Sequence, residues 1–362
     1  MVSPGGAEKT VEVLHHIWPD APIYTAAYMP EKFPEFADAD VRPIWLNRIA
    51  LAKRKHQLFT IPRAWAFKSL DLSSYDVVIS SSSAEAKYVK TGPRTLHICY
   101  CHTPIRYYWS DYDWYRQHPP FGALNGVARL LLPAMIGSLR RMDYRAAQKV
   151  DYFIANSANV QARIKKYYDR NSTVIYPPVA TQRFTQPHHA QDYYLIVGRQ
   201  VAYKRLDLAV DAFNRLGLPL KVVGVGEEVA RQQPRSRANI EYLGRVTGAE
   251  LAQLYAGAKA FIFPPEEDFG ITPVEALSAG CPVVAYAKGG ALEYVVEGET
   301  GVFFAEQTPE ALIAAIKRCE KLKFSDAKLR AHAAAFDEAV FIKKIQKFVS
   351  DELEEREKHL EK

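Results

Sequence analysis

Residues 259–286 read KAFIFPPEEDFGITPVEALSAGCPVVAY, and this stretch is the clearest guide to the fold class. A short apolar run at 259–263 precedes an irregular loop that is rich in proline and acidic residues. A helical pattern follows and ends at Gly280, and a second apolar run at 281–286 comes directly after it. Two short apolar runs joined by a loop and a helix are typical of a βαβ unit with parallel strands.

The same alternation of apolar runs and helical patterns extends along most of the chain. Five further runs rich in Val, Ile, Tyr and Phe occur at 76–80, 96–101, 151–156, 193–198 and 220–224. The first three form one series, and the last two join the quoted stretch in a second series. We therefore expect an α/β fold built from two facing, Rossmann-like, doubly wound parallel sheets.

A segment rich in Pro and His, around 176–179 and 186–189, separates the two series. It lacks a periodic apolar pattern, so we place a hinge there. The predicted domains are 1–185, 186–338, and a C-terminal helix with a charged tail, 339–362, that packs back towards the first domain. Doubly wound sheets bind ligands beyond the carboxyl ends of their strands, which predicts a site in the cleft between the domains.

Composition excludes several classes of protein. The chain has 362 residues, 48% of them hydrophobic, with 21 Tyr and 17 Phe, as expected of a packed globular protein. It has no apolar stretch of transmembrane length and no signal-peptide pattern, so we expect a cytoplasmic protein.

Four scattered cysteines form no disulfide framework. Cys99 and Cys101 alternate along a strand, and we interpret them as buried small residues rather than as half of a zinc site.

The formal net charge of +6 is unevenly distributed. No acidic residue lies between Asp40 and Asp71, where seven Lys and Arg residues accumulate. Between 114 and 150 the single acid is Asp143, and the basic residues lie on either side of an apolar segment at 130–136. This predicts a basic amphipathic surface for an anionic membrane on its inner face, and the alternative is a solvated helix face over a core stripe. Because 41 acidic residues offset 47 basic ones, no nucleic-acid partner is predicted.

Two cations follow the strand at 193–198. Arg199 and Lys204 stand between its end and an amphipathic helix that closes at Gly217. Cations before a helix N-terminus are poorly placed for helix stability but well placed to bind a diphosphate. Solubility of an exposed loop is the alternative explanation.

Two glutamates follow the strand at 259–263. Thr272 followed by Pro273 predicts a helix start with Thr272 as N-cap, and Glu275 would close its capping box. Glu267 precedes Gly270 in the loop, where a carboxylate is free to accept hydrogen bonds from sugar hydroxyls.

These motifs resemble those of the retaining family-four glycosyltransferases of GT-B fold. The family signature is a pair of glutamates eight positions apart around a Phe-Gly pair, which Glu267, Phe269-Gly270 and Glu275 match. Further segments match in the expected order: Gly5-Gly6-Ala-Glu, Arg199 with Lys204, Val223-Gly-Val-Gly226 and Lys288-Gly289-Gly290-Ala-Leu-Glu293. The resemblance spans essentially the whole chain and is closest to bacterial mannosyltransferases that build surface polysaccharide from GDP-mannose.

The resemblance implies a role for each matched residue. Arg199 and Lys204 would hold the diphosphate of a nucleotide-sugar donor and stabilise it as it leaves, without a metal or other cofactor. Glu267 would contact hydroxyls of the donor sugar, and Glu275 would bind the ribose. The other implied donor-binding residues are Gly5, Gly6, Gly270 and Ile271. The acceptor would be a glycan or a polyprenol-linked oligosaccharide.

Three further features complete the prediction. His102 follows the run at 96–101 and matches a family histidine near the sugar, so we predict a catalytic role for it. Asp111-Tyr-Asp113 resembles a metal-binding Asp-x-Asp motif but lies in an aromatic loop, and we expect it to bind no metal.

Family members have a strand before the Gly-Gly loop that is missing here, which indicates a native start upstream of Met1 or a sheet without that strand. Alternative functions are a sugar-nucleotide epimerase and an inactive nucleotide-sugar-binding subunit.

Overall fold

The computed structural model describes residues 1, 5–54, 59–117 and 125–360. It contains two compact units: the first comprises Met1–Tyr176 and Ile342–Lys362, and the second comprises Pro177–Phe341. Every pair of neighbouring strands within the described sheets is parallel, which confirms the predicted α/β class. The expectation about a missing strand before Gly5 falls on residues 2–4, which lie outside the described residues.

The first unit has a four-stranded sheet, in the order β3-β4-β5-β6, and a two-stranded sheet of β1 and β2. Its strands are β1 (Ile23–Thr25), β2 (Val41–Pro43), β3 (Val77–Ser82), β4 (Leu96–Cys101), β5 (Tyr152–Ala155) and β6 (Thr173–Val174). Its helices in the N-terminal segment are α1 (Gly6–Ile17), α2 (Ala50–Arg54), α3 (Thr60–Ser69), α4 (Tyr112–Gln117), α5 (Asn125–Ala147) and α6 (Ala158–Tyr168). Every residue of β4 is buried, and Cys99 and Cys101 lie in one apolar cluster, as predicted.

The second unit has a six-stranded sheet in the order β12-β11-β10-β7-β8-β9. Its strands are β7 (Tyr194–Val197), β8 (Leu220–Val223), β9 (Ile240–Gly244), β10 (Phe261–Phe263), β11 (Val283–Tyr286) and β12 (Gly301–Phe304). Its helices are α7 (Leu206–Leu216), α8 (Glu227–Gln232), α9 (Gly248–Gly257), α10 (Ile271–Ser278), α11 (Ala291–Tyr294), α12 (Pro309–Cys319) and α13 (Asp326–Ala333). The last helix, α14 (Glu338–Leu360), begins in this unit and continues in the first.

Helix α7 shows how the sequence pattern builds the second unit. The helix was predicted to be amphipathic, and its apolar side packs against the sheet, with Leu206, Ala209 and Phe213 fully buried. Gly217 ends the helix with a φ of +70°, which glycine adopts without steric cost. The helix was predicted from its apolar spacing, and its end was predicted from Gly217.

A sealed ion pair lies in the core of the first unit. The Nζ atom of Lys87 is 2.6 Å from Oδ1 of Asp143, and both side chains are almost fully buried. The carboxylate also accepts hydrogen bonds from Tyr88, Trp109 and Tyr168, at 2.7 to 2.9 Å. The single acid of the basic stretch at 114–150 is therefore a core residue of α5.

Among the described helices, none combines the length and apolar character that crossing a bilayer requires.

Candidate active site

The strand order of the second unit creates a crevice at the carboxyl ends of two neighbouring strands. From β7 the chain moves to β8 and β9 on one side, then returns to β10 on the other side. The connections leaving β7 and β10 therefore diverge, and the carboxyl ends of these two strands form the topological switch point at which such sheets bind ligands. The loops 198–205 and 264–270 start there.

Lys204 and Glu267 meet at this switch point. The Nζ atom of Lys204, at the end of a short 3-10 turn after β7, donates to Oε1 of Glu267 in the loop after β10. Their side chains are 19% and 14% exposed, so the pair is shielded but open to solvent. The expectation of a free Glu267 carboxylate is wrong, because Lys204 neutralises it.

Arg199 lies on the same loop as Lys204, with its side chain exposed. Within the described part of the chain, no hydrogen bond or ion pair holds its guanidinium group. Gln200 beside it is fully buried, and its Nε2 atom donates to the carbonyls of Gly198 (2.9 Å) and Val223 (3.0 Å). Gln200 thus fixes the loop that carries both cations, a role that the sequence analysis missed.

Two glycines pack closely against the backbone of the two switch-point loops. A Cβ on Gly224 would lie 1.9 Å from the carbonyl oxygen of Gly198, and one on Gly290 would lie 2.1 Å from that of Phe269. The backbone N–H of Gly290 also donates to the carbonyl of Glu267 at 2.8 Å. Each loop is therefore held by backbone packing that only glycine permits.

Helix α10 starts earlier than the predicted capping box required. It begins at Ile271 with Gly270 as its N-cap, and no side chain caps it. Gly270 has a φ of +92°, so the chain can turn into the helix directly after it, and Thr272 and Pro273 fall inside the first turn. The prediction of Thr272 as N-cap and of Glu275 as its capping-box partner is wrong.

Glu275 is instead bound by a tyrosine. Its Oε2 atom accepts a hydrogen bond from the hydroxyl of Tyr255 in α9, at 2.9 Å. Burial raises the pKa of the Glu275 carboxyl, and the hydrogen bond from Tyr255 and the charge of Arg183 partly counteract this. One hydrogen bond therefore orients a carboxyl group that is costly to ionise in the absence of a ligand.

The first unit contains the remaining predicted residues. His102 directly follows β4. Its backbone N–H donates to the carbonyl oxygen of Ser82 at 2.9 Å, and its Nε2 atom lies 2.8 Å from Oγ of Ser81. Gly5 precedes α1 with extended backbone, and Gly6 is the first residue of that helix. Ser81 is a further contact that the sequence analysis did not identify.

The Asp-x-Asp segment shows no clustering of acids. The Oδ2 atom of Asp111 lies 3.7 Å from Nη1 of Arg106. Within residues 1, 5–54, 59–117 and 125–360, no three His, Cys, Asp or Glu side chains are arranged to hold a metal ion. Independence from metal stays a prediction.

Residues 180–338 match the family model of glycosyl transferases group 1. Over 208 residues the chain is 26% identical to the D-rhamnosyltransferase WbpZ of Pseudomonas aeruginosa, covering 53% of each protein. It is 31% identical over 231 residues to a glycogen synthase of Thermus caldophilus, covering 59% of this chain and 49% of that protein. The match thus spans about half the length of these curated relatives.

A solved structure agrees over nearly the entire chain. The structure of Alr3699/HepE of Anabaena in complex with UDP and glucose aligns with a TM-score of 0.71 and 19% identity, covering 97% of both chains. At this identity the likeness establishes the fold, and the predicted GT-B class is confirmed. The residues that match the family model all lie within the second unit.

Proposed function

We propose that the chain is a retaining glycosyltransferase that moves a hexose from a nucleoside-diphosphate sugar to a glycan or lipid-linked oligosaccharide. The observation that carries this proposal is the ion pair of Lys204 and Glu267 at the switch point of β7 and β10. The matched family segment includes both of these residues.

The cations would bind the donor diphosphate. Lys204 supplies a point charge, and the exposed guanidinium of Arg199 supplies paired N–H donors that suit phosphate oxygens. A bound diphosphate competes with Glu267 for the lysine ammonium. As the bond between the sugar and the diphosphate breaks, negative charge grows on the leaving oxygen, and these fixed cations stabilise it. This chemistry needs no metal.

The two glutamates would bind the ends of the donor. Once the diphosphate occupies Lys204, the Glu267 carboxylate accepts hydrogen bonds from sugar hydroxyls. Glu275, held by Tyr255, accepts from the ribose. The backbone of Gly270 and Ile271 at the start of α10 adds N–H donors. In the first unit, His102 would contact the sugar, and Gly5 and Gly6 would allow close approach of backbone.

Mannose is the favoured sugar, from GDP-mannose, in cell-surface polysaccharide synthesis. One relative is named for transfer of D-rhamnose, which is 6-deoxy-mannose, so a sugar of mannose configuration has a precedent among the relatives. Glucose is the main competitor, because the aligned HepE structure contains UDP and glucose. No carboxylate is assigned as a nucleophile for double displacement, so we favour substitution on the face from which the diphosphate leaves.

The first test is calorimetric titration of the protein in EDTA with GDP-mannose, UDP-glucose and the corresponding free nucleotides. We expect one nucleotide family to bind, and Lys204→Met to weaken it by about 10- to 100-fold through loss of a charge-assisted contact. Lys317→Met is the matched control, since it removes an exposed lysine of α12 in the same unit.

Two outcomes would contradict the proposal. Binding that requires a divalent metal would refute the metal-free diphosphate site. Binding that Lys204→Met and Lys317→Met weaken equally would remove Lys204 from the site. Product analysis by NMR then separates transfer from epimerisation, because an epimerase releases an altered sugar nucleotide without an acceptor.

A further inference from the structure

The first unit exposes a cluster of large apolar side chains on three adjoining elements, which we call the tryptophan patch. Its members are Trp45, Ile49, Leu51, Ile61 and Trp65. Trp65 is 67% exposed, Leu51 50% and Trp45 48%. Single exposed apolar residues are common on soluble proteins, but five on adjoining elements indicate an interaction surface.

Contacts between the elements bring these side chains to one region. The 3-10 helix Trp45–Arg48 contacts both α2 and α3. Within α3, Ile61, Trp65 and Lys68 follow each other at helical spacing and share one face. Elsewhere on α3, Ala64 and Phe67 are buried in the core of the unit. The patch is therefore the outward face of elements that are anchored from within.

Cations surround the patch without local neutralisation. Arg48 and Lys68 are exposed and Lys53 is half-buried, and among the described residues no carboxylate lies within ion-pair distance of them. The ammonium of Lys68 lies 6.0 Å from the ring of Trp65. Asp40 and Asp71 are the acidic residues on either side of this basic stretch in the sequence. Both form ion pairs with other residues: Asp40 pairs with Arg42, and Asp71 pairs with Lys90. The surface is thus both apolar and positively charged.

The second basic stretch of the sequence is less suited to a ligand. It also exposes apolar side chains, such as Leu130 on α5. Two of its arginines, however, are used within the unit: Arg129 donates to the Gln117 carbonyl at 2.7 Å, and Arg140 donates to the Tyr108 carbonyl at 2.6 Å. Among the residues that the structure describes, no such contact involves the side chains of Arg48, Lys53 or Lys68.

We propose that the tryptophan patch docks the protein on a membrane surface that contains anionic phospholipids. Trp prefers the boundary between acyl chains and headgroups, where aliphatic side chains insert beside it and Lys and Arg meet the phosphates. A symmetric contact with a second copy would bring the three cations against their own equivalents. The aliphatic side chains of Ile49, Leu51 and Ile61, exposed on the same elements as the two rings, favour lipid over a glycan, which would leave them without an apolar partner. The proposal does not depend on the assignment of the donor site.

The test is flotation of the purified protein with vesicles of phosphatidylcholine alone and of an equal mixture of phosphatidylcholine and phosphatidylglycerol. We expect binding to the anionic vesicles and little to the neutral ones. The double variants Trp45→Ser/Trp65→Ser and Arg48→Gln/Lys68→Gln should each lower the partition coefficient by at least about tenfold. Trp114→Ser, which removes an exposed tryptophan of α4, is the matched control and should leave binding unchanged.

The variants are first checked for unchanged thermal unfolding and donor binding, so that a folding defect or a failed donor site is recognised separately. The proposal is overturned if the native protein ignores anionic vesicles, if neutral vesicles bind it equally, or if Trp114→Ser reduces binding as much as the patch variants. It is also overturned if sedimentation velocity shows a dimer that the Trp45→Ser/Trp65→Ser variant abolishes, because the patch would then be a subunit interface.

Discussion

Lys87 and Lys204 each pair with a carboxylate, but their surroundings differ. Lys87 and Asp143 expose 2% and 0% of their side chains, whereas Lys204 and Glu267 expose 19% and 14%. Three aromatic side chains also donate to Asp143, so its acceptor sites are occupied. A sealed pair has no room to exchange partners, while a pair at an open crevice can release its lysine to an anion. The first pair therefore serves stability, and the second is suited to binding.

Breaking the sealed pair should have the largest effect on stability. Asp143→Ala leaves the Lys87 ammonium buried without a counter-ion and removes the acceptor of three hydrogen bonds. We expect the free energy of unfolding to fall by about 3–5 kcal/mol, measured by urea denaturation followed by circular dichroism. Asp143→Asn keeps an acceptor and should lose less. A loss below about 1 kcal/mol for Asp143→Ala would mean that this pair behaves like a surface pair.

A buried histidine near this core should make stability depend on pH. Burial lowers the pKa of His97 from 6.5 to about 4, and its Nε2 atom lies 3.0 Å from Oγ of Ser80. Between these pH values the unfolded chain binds a proton that the folded chain excludes, so stability falls as the pH decreases from 6.5 towards 4. The loss attributable to His97 should reach about 3 kcal/mol.

His97→Gln isolates this contribution from that of the acidic residues. We expect the difference in unfolding free energy between the native protein and the variant to change with pH only in this window. A difference that is constant from pH 7 to pH 4 would show that His97 does not carry the effect.

The sequence predicted the central strands better than the edge strands. The runs at 96–101 and 220–224 became β4 and β8, which are paired on both sides and consist largely of buried residues. β6, β9 and β12 were not among the predicted runs, and each lies at the edge of its sheet. An edge strand pairs on one side only, so its sequence generally carries a weaker apolar signal, although the edge strand β3 was predicted as the run at 76–80.

The sequence indicates candidate residues for the site but not the contacts between them. The spacing of Glu267 and Glu275 is visible in the sequence, because the motif is local. The pairing of Lys204 with Glu267 across 63 positions is not, since it depends on β7 lying beside β10. Gln200 and Ser81 escaped notice for the same reason: their importance comes from the neighbours that the sheet order gives them.

Breaking the pair of Lys204 and Glu267 should have the opposite balance of effects from that expected for Asp143. Glu267→Gln keeps the size of the side chain and removes its charge, so we expect a stability change of about 1 kcal/mol or less. Because the amide holds Lys204 less tightly than the carboxylate does, the nucleotide alone should bind at least as tightly as before, while the affinity for the complete donor falls relative to it. Calorimetry with both ligands separates these effects. Equal weakening of nucleotide and donor would argue against a contact between Glu267 and the sugar.

The smallest expected effect concerns Ser81, which lies 2.8 Å from Nε2 of His102. If His102 contacts the sugar, Ser81 fixes the orientation of its ring, and one neutral hydrogen bond contributes about 0.5–1.5 kcal/mol. Ser81→Ala should therefore lower kcat about two- to tenfold, with donor affinity and thermal unfolding unchanged, and Ser81→Thr should restore much of it. In a His102→Ala background, Ser81→Ala should have no further effect. Additive losses in the double variant would mean that Ser81 acts independently of His102.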